Sequence, residues 1–207
     1  MSHGNFVKAV EALRKQEKKK FLQGVDLIIN LKNFDPKKES VNVFVPVNHK
    51  VKEKKIMALL TKRTGIIDSL TKLDFEKYKD KKQIKSLIKK YDFFIASAPV
   101  MPAVASTFGK YLGPAGKMPS PQLGVLMQED DASIKNLLEK ISKTIRVKSK
   151  DASLKVLVAK EGMKDSEIVE NAEAVLNAVI NALPRKKEQI KSVLIKFTMS
   201  KPEKVLI

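Results

Sequence analysis

Residues 24–32, GVDLIINLK, alternate Val25, Leu27, Ile29 and Leu31 with Asp26, Asn30 and Lys32. A period of two marks a strand with one buried and one wet face, so the fold turns on what covers the buried face. Upstream, Phe6, Val10 and Leu13 recur at helical spacing. Residues 5–18 therefore read as an amphipathic helix running into the charge run QEKKK. Downstream, NFDPKKES reads as a turn, and VNVFVPV sets Val41, Val43, Val45 and Val47 on one face of a second strand. Two strands are too few to bury a sheet, so this segment needs a partner from elsewhere in the chain.

The C-terminal end has complementary pieces. LKVLVAK, from Leu154, alternates like a strand. In DSEIVENAEAVLNAVINALP the apolar residues Ile168, Val169, Ala172, Val175, Leu176, Val179 and Ile180 form one helical stripe. Asp165 or Ser166 is the expected N-cap, and Pro184 closes the helix. SVLIKFTM alternates Val193, Ile195 and Phe197 against Ser192, Lys196 and Thr198, placing those three on the face away from the apolar stripe. The two ends together make four strands and two helices, a split β-α-β arrangement with the helices on one face.

Between them, KIMALL and YDFFIASA are near-continuous apolar runs, as in strands buried on both faces. They alternate with helical patterns around Ile84 to Lys90 and Ile134 to Ile145, which reads as a small three-layer α/β, Rossmann-like domain inserted into the first. The expected fold is thus α/β (α+β, two-domain): 1–52 with 153–207 as a discontinuous domain, and 53–152 as the insert. The lysine-rich crossings near HKVKEKK and KSKDAS would form a hinge.

Of 207 residues, 43 % are hydrophobic, enough to fill a core, and 41 Lys plus Arg face 23 Asp plus Glu, a net charge of +18. That imbalance, with a pI near 9.9, calls for a polyanionic partner. Lysine far outnumbers arginine, which favours phosphate neutralisation over bidentate base contacts. The chain has no cysteine, so disulfides, thiolate nucleophiles and cysteine metal sites are excluded. No run of about eighteen apolar residues occurs and the N-terminus has no secretion-signal pattern, so a soluble cytoplasmic protein without a membrane partner is expected.

Catalytic signals are weak. Residues 111–121, YLGPAGKMPSP, hold two glycines, three prolines and a lysine, which reads as a fixed loop. A phosphate-binding GxxxxGK[ST] fails here, because Tyr111 stands at the first glycine and Met118 at the hydroxyl. Gly109, Gly113 and Gly116 are spaced GxxxGxxG, not GxGxxG. His3, expected in a loose terminus, and His49, in a lysine-rich turn, make no shared site. The acidic cluster Glu129, Asp130 and Asp131 is most economically read with Asp131 or Ser133 capping the next helix. No nucleophile–base pair, cofactor or metal site is expected. The rival to a binding protein is a basic nucleotide-binding α/β enzyme.

The same loop resembles the inserted-domain segment LGPxGxMPxP of the ribosomal protein L1 family, through Leu112, Gly113, Pro114, Gly116, Met118, Pro119 and Pro121. VDLIINLK, YDFFIASAPVMP, EAVLNAVI and KFTM resemble its archaeal and eukaryotic branch in the right order, so the resemblance covers essentially the whole chain. It implies a monomer within the large ribosomal subunit that binds rRNA of the lateral stalk beside the exit-site tRNA, assists tRNA release and represses translation of its own mRNA. It also implies rRNA-binding residues: Lys20 and Phe21 as one element, Glu11 as a helical carboxylate near it, and Ser192, Lys196, Thr198, Met199 and Ser200 on or after the last strand. Phe21 and Met199 have an alternative reading as core residues. The breaker-rich loop is expected either to lie as a rigid lid over the insert's sheet or to touch rRNA or tRNA through Lys110 and Lys117. The chain departs from the family at Ser200, where a glycine is usual, at VPVNHK, where the family has Leu-Pro-His-Gly, and in a shortened stretch before YDFF. If that glycine serves a positive φ or a close approach of RNA, Ser200 is a loss; if it is merely small, the hydroxyl adds a bond.

Overall fold

The structure is a computed structural model that describes residues 2–17, 19–35, 39, 41–78, 80–149 and 151–206. In chain order its elements are α1 (Ser2–Arg14), β1 (Gly24–Leu31), β2 (Asn42–Pro46), β3 (Ile56–Leu60), β4 (Ser69–Thr71), α2 (Lys81–Lys90), β5 (Phe93–Ser97), α3 (Met101–Ala115), β6 (Val125–Leu126), α4 (Asp131–Ser142), β7 (Thr144–Lys148), β8 (Ser153–Lys160), α5 (Asp165–Ala182), β9 (Ile190–Phe197) and β10 (Glu203–Val205). They form two compact units, one of residues up to Lys52 with residues from Lys143 onward, the other Glu53–Ser142.

In the terminal unit the N-terminal strand β1 is threaded between two C-terminal ones, giving the antiparallel order β10-β9-β1-β8. The alternation in residues 24–32 is realised: Val25, Leu27, Ile29 and Leu31 are buried, and Asp26, Ile28 and Asn30 are half-exposed on the other face. Buried Phe6, Val10 and Leu13 of α1 and Val169, Ala172, Leu176 and Val179 of α5 join the same core as β1, β8 and β9. Full burial of each of these Val, Leu and Phe side chains contributes about 1.5–3 kcal/mol, so either chain end alone would leave most of this core wet.

Polar contacts join the two chain ends. Arg14, at the end of α1, donates through Nε to Asp165 at 2.9 Å, and through its two Nη atoms to the carbonyls of Glu161 at 2.7 Å and Met163 at 2.8 Å. Asn171 of α5, fully buried, accepts the His49 N–H at 3.2 Å and donates to the carbonyls of His49 and Val158, each at 3.0 Å. Both histidines pair with glutamates one turn apart on α5, His49 with Glu170 and His3 with Glu173, each at 3.0 Å. His3 therefore sits in a helix, not a loose terminus.

Several sequence expectations are corrected. The VNVFVPV strand is not in the main sheet: β2 pairs antiparallel with β7 in a separate two-stranded ladder. The fourth strand of the main sheet is β10, whose three residues are too short to show periodicity. Residues 144–145, read as helix, belong to β7, because pairing with β2 outweighs a local helical pattern. This moves the second boundary of the insert from 152/153 to 142/143. KSKDAS is thus the β7–β8 connection of the terminal unit and not a crossing; Ser149 donates its N–H to Val41 at 2.7 Å. The expected turn NFDPKKES lies partly outside the described residues, at 36–38 and 40.

The insert holds a parallel sheet of order β4-β3-β5-β6, with buried apolar runs in β3 and β5. Its breaker-rich segment is half helix: α3 continues through Gly113 and Pro114 to Ala115. In the last turn a proline removes one hydrogen bond only, and a preceding glycine has no Cβ to clash with the pyrrolidine ring. Gly116, at φ 67°, then stops the helix. Its N–H meets the Gly113 carbonyl at 2.9 Å and the Lys117 N–H meets that of Leu112 at 3.0 Å, a Schellman closure.

Asp74, buried in a short 3-10 turn, accepts from Lys77 at 2.9 Å, from Arg63 at 2.9 and 3.0 Å and from the Thr71 hydroxyl at 2.9 Å. Lys77, then Arg63 and Thr71, hold its pKa far below the usual carboxylate range. A carboxylate with a lowered folded pKa stabilises while ionised. Its contribution is complete above the unfolded value of about 3.9 and fades as pH falls from there. The difference in melting temperature between the parent and Asp74→Asn should be full at pH 6 and shrink below about pH 4. A difference independent of pH would contradict the ionised cluster.

Candidate nucleic-acid interface

Five of the family-derived residues, Lys20, Phe21, Thr198, Met199 and Ser200, gather at one end of the terminal unit's sheet, whereas Glu11, Ser192 and Lys196 lie elsewhere. Between α1 and β1 the chain carries Lys20, exposed, followed by Phe21 and Leu22, exposed by 55 and 76 %. Gln23, which follows them, is buried. Its N–H donates to the Glu161 carboxylate at 3.1 Å, its carbonyl accepts the Glu161 N–H at 2.9 Å, and its side-chain oxygen accepts the Met199 N–H at 3.0 Å. One inward-pointing amide thus leaves Phe21 and Leu22 outside and fixes the backbone of Met199, itself 65 % exposed. The core readings of Phe21 and Met199 are overturned: both residues are more than half exposed.

Thr198 closes the end of the β1–β9 ladder. Its N–H donates to the Gly24 carbonyl at 3.0 Å, and its hydroxyl accepts the Gly24 N–H at 3.1 Å. Gly24 matters for its neighbours: a Cβ there would stand 2.6 Å from Leu157 Cδ1 and 3.4 Å from Thr198 Oγ1. Its absence lets Leu157, half-exposed on β8, lie across the strand start. The result is an edge of exposed apolar side chains, Phe21, Leu22, Leu157 and Met199, with Lys20, Lys160 and Lys201 exposed on the same turns.

Ser200 resolves one question raised by the sequence. It is not among the positive-φ residues, so the turn does not require glycine there. Its hydroxyl accepts the Phe197 N–H at 2.8 Å and its own N–H returns to the Phe197 carbonyl at 3.1 Å. The added hydroxyl bond is internal and stiffens the Thr198–Met199 turn.

Ser192 is the farthest of the three along the sheet. It shares a face with Thr198 but lies six residues away, roughly 20 Å along the strand. There it accepts from Asn30 at 2.9 Å, and Asn30 in turn accepts from Ser153 at 2.8 Å. Between the two ends, Lys196 stands opposite Asp26 and Leu194 opposite Ile28 on the face the helices leave open. Burial pushes the Asp26 carboxyl up, against the pull of Lys196. Glu11 is exposed on α1. Gln23, Gly24, Leu22 and Leu157 were not singled out from sequence; a glycine heading a strand was the only available signal.

In the insert, Lys110 is exposed on α3. Lys117 is turned inward: its ammonium donates to the carbonyls of Ile88 and Tyr91, each at 2.7 Å, capping the C-terminus of α2. Lys117→Met should therefore destabilise the insert by about 1–2 kcal/mol. It should leave RNA affinity unchanged in a titration against stalk RNA, and a loss of affinity without a loss of stability would restore it as a contact. At the carboxyl end of β3, where open α/β sheets hold ligand phosphates, the Glu129 carboxylate accepts from the Thr61 N–H at 2.9 Å, the Thr61 hydroxyl at 2.7 Å and the Lys62 N–H at 3.3 Å. That anion cradle is filled by the chain itself.

A sequence model of the "Ribosomal protein L1p/L10e family" matches residues 13–201. The chain is 38 % identical over 208 residues to the large ribosomal subunit protein uL1 of Thermococcus kodakarensis, covering 94 % of this chain and 93 % of that one. It is 37 % identical to uL1 of Pyrococcus horikoshii, over 91 % of this chain and 89 % of the relative. With uL1 of Methanothermococcus thermolithotrophicus it shares 36 % over 221 residues, 99 % of each. The chain belongs to the ribosomal protein L1 family.

Proposed function

We propose that this chain is a structural protein of the large subunit of the cytoplasmic ribosome, and that its terminal unit grips the rRNA of the lateral stalk through the Phe21–Met199 edge and the open sheet face running from it to Ser192. The observation that carries this reading is the edge itself: two large apolar side chains from one loop and a third from the turn after β9 are held outside by a buried glutamine, among exposed lysines of a chain with net charge +18. Structured RNA is recognised by shape, stacking and polar contacts to sugar and backbone, which such a surface supplies. Lysines give affinity through phosphates, and the fixed edge gives discrimination.

In the same reading the insert works near the exit-site tRNA and assists its release, with Lys110 available for contact. A stalk-like element in its own mRNA would be held by the same edge, which would make the protein a repressor of its own translation. The nucleotide-enzyme alternative draws no support from the insert, where Glu129 fills the phosphate position at β3.

The test is a titration of the purified chain with a stalk-junction rRNA fragment and with a base-paired hairpin of equal length, at low and near-physiological salt. Affinity for both falls as salt rises, since phosphate contacts release counterions. The preference for the stalk persists. Equal affinities that vanish together with salt would refute the stalk assignment.

A further inference from the structure

The insert carries a surface that the stalk reading does not use. Helix α2, KKQIKSLIKK, contains no acidic residue. Its Lys81, Lys82, Lys85 and Lys89 are all exposed, and among the described residues none has an ion-pair partner. At about 100° per residue these four fall within about 100° of arc, a single ridge on which Lys81, Lys85 and Lys89 follow one another about 6 Å apart along the axis, with Lys82 beside Lys81. As a helix in isolation this is poor design: like charges stand at i, i+4, and Lys81 and Lys82 occupy the first turn at the positive end of the helix dipole. Lys117 brings one more cation to the far end of the same helix. Such an arrangement is relieved by a polyanion laid along the ridge.

A groove of about 460 Å³ runs beside it, lined by Gln83, Ser86 and Lys90 of α2, by Tyr78 and Lys77, and floored by Tyr91. On the helix, Gln83, Ser86 and Lys90 occupy the arc next to the lysine ridge, between it and the buried Ile84 and Leu87. Tyr78 is half-buried, its ring 6.3 Å from that of Phe108, and it faces the groove. A cationic track beside an aromatic ring, an amide and a hydroxyl is the chemistry that holds unpaired nucleotides. It does not suit a bilayer, because Ile84, Leu87 and Ile88, the apolar side of α2, are already packed into the insert's core and this helix has no exposed apolar side chain to enter lipid.

We propose that α2 and its groove form a second nucleic-acid site, specific for single-stranded RNA, in which Tyr78 stacks a base and Lys81, Lys82, Lys85 and Lys89 take successive backbone phosphates. The site lies in the other unit from the stalk edge and does not depend on the stalk reading.

The experiment titrates the full chain, free and saturated with stalk-junction RNA, with a short single-stranded RNA, with the same sequence as a duplex, and with anionic lipid vesicles. Binding of the single strand in preference to the duplex, undiminished by bound stalk RNA, is the expected result. Replacing the four lysines by glutamine lowers the salt slope by about 3, at about 0.7 per phosphate on a single strand, while replacing them by arginine keeps it. Tyr78→Leu weakens the single strand about 5- to 150-fold, as loss of one stacked base does. Neither variant changes affinity for stalk RNA. Competition by deacylated tRNA or by rRNA fragments then identifies the source of the strand. Equal binding of duplex and single strand, binding of vesicles alone, or an unchanged slope in the glutamine variant would overturn the proposal, whether or not the stalk titration succeeds.

Discussion

Phe21→Ala combined with Thr198→Ala weakens binding of stalk-junction RNA about 100-fold and leaves affinity for a plain hairpin within a few-fold of the parent. The size follows from what each change removes. Phe21 is 55 % exposed and free to stack or wedge against RNA, and one such aromatic contact contributes about 1–3 kcal/mol. Thr198 ties the end of β9 to Gly24 by its hydroxyl, and Met199 rides on the turn that follows. Without the hydroxyl the backbone bond from Thr198 to Gly24 remains, so the fold survives while the turn loosens. Lysine contacts to phosphate are untouched, which is why the control hairpin is spared. Circular dichroism and a thermal melt check the fold in the same preparation. If both RNAs lose affinity equally, the edge contributes charge or stability and not recognition.

Asn171→Leu lowers the stability of the terminal unit by about 3 kcal/mol, roughly 10–20 °C in melting temperature for a unit of this size. Leucine fits the volume but can neither donate nor accept, so the N–H and carbonyl of His49 and the carbonyl of Val158 lose their partner together. Each buried backbone group left unpaired costs about 1–3 kcal/mol, and water reaches only those nearest the surface. Because Asn171 is fully buried, the change also separates the chain just before the insert from helix α5. A melt within a degree or two of the parent would show that the clasp is dispensable.

How much of this was legible in the sequence depends on the range of the interaction that decides each piece. Period-two alternation made β1, β8 and β9 readable, since one face of each is buried by the same two helices. β10 was not readable because three residues carry no period. β7 was misread because Ile141 and Ile145 keep helical spacing across the true end of α4, and only pairing with β2 turns residues 144–148 into a strand. The segment Tyr111–Pro121 looked like a loop because glycine and proline are breakers on average; their position in the final turn of α3 is what makes them tolerable. The residues of the candidate site came from resemblance, which says nothing of their exposure. That Phe21 and Met199 face solvent is set by Gln23, whose partners Glu161 and Met199 lie more than a hundred residues away in sequence. For Lys117 the sequence offered a nucleic-acid contact as one of two readings of its segment, and no local pattern reveals that it closes the end of α2.

Docking of stalk RNA on the Phe21–Met199 edge leaves a covalent trace when the RNA is photoreactive. Photo-crosslinking of stalk-junction RNA carrying 4-thiouridine, followed by mass spectrometry of the linked peptides, tests it most directly. Crosslinks are expected within residues 19–24 and 198–200, absent with the control hairpin and lost in Phe21→Ala. Crosslinks confined to the helical side of the sheet or to the insert, or the same pattern from both RNAs, would contradict it.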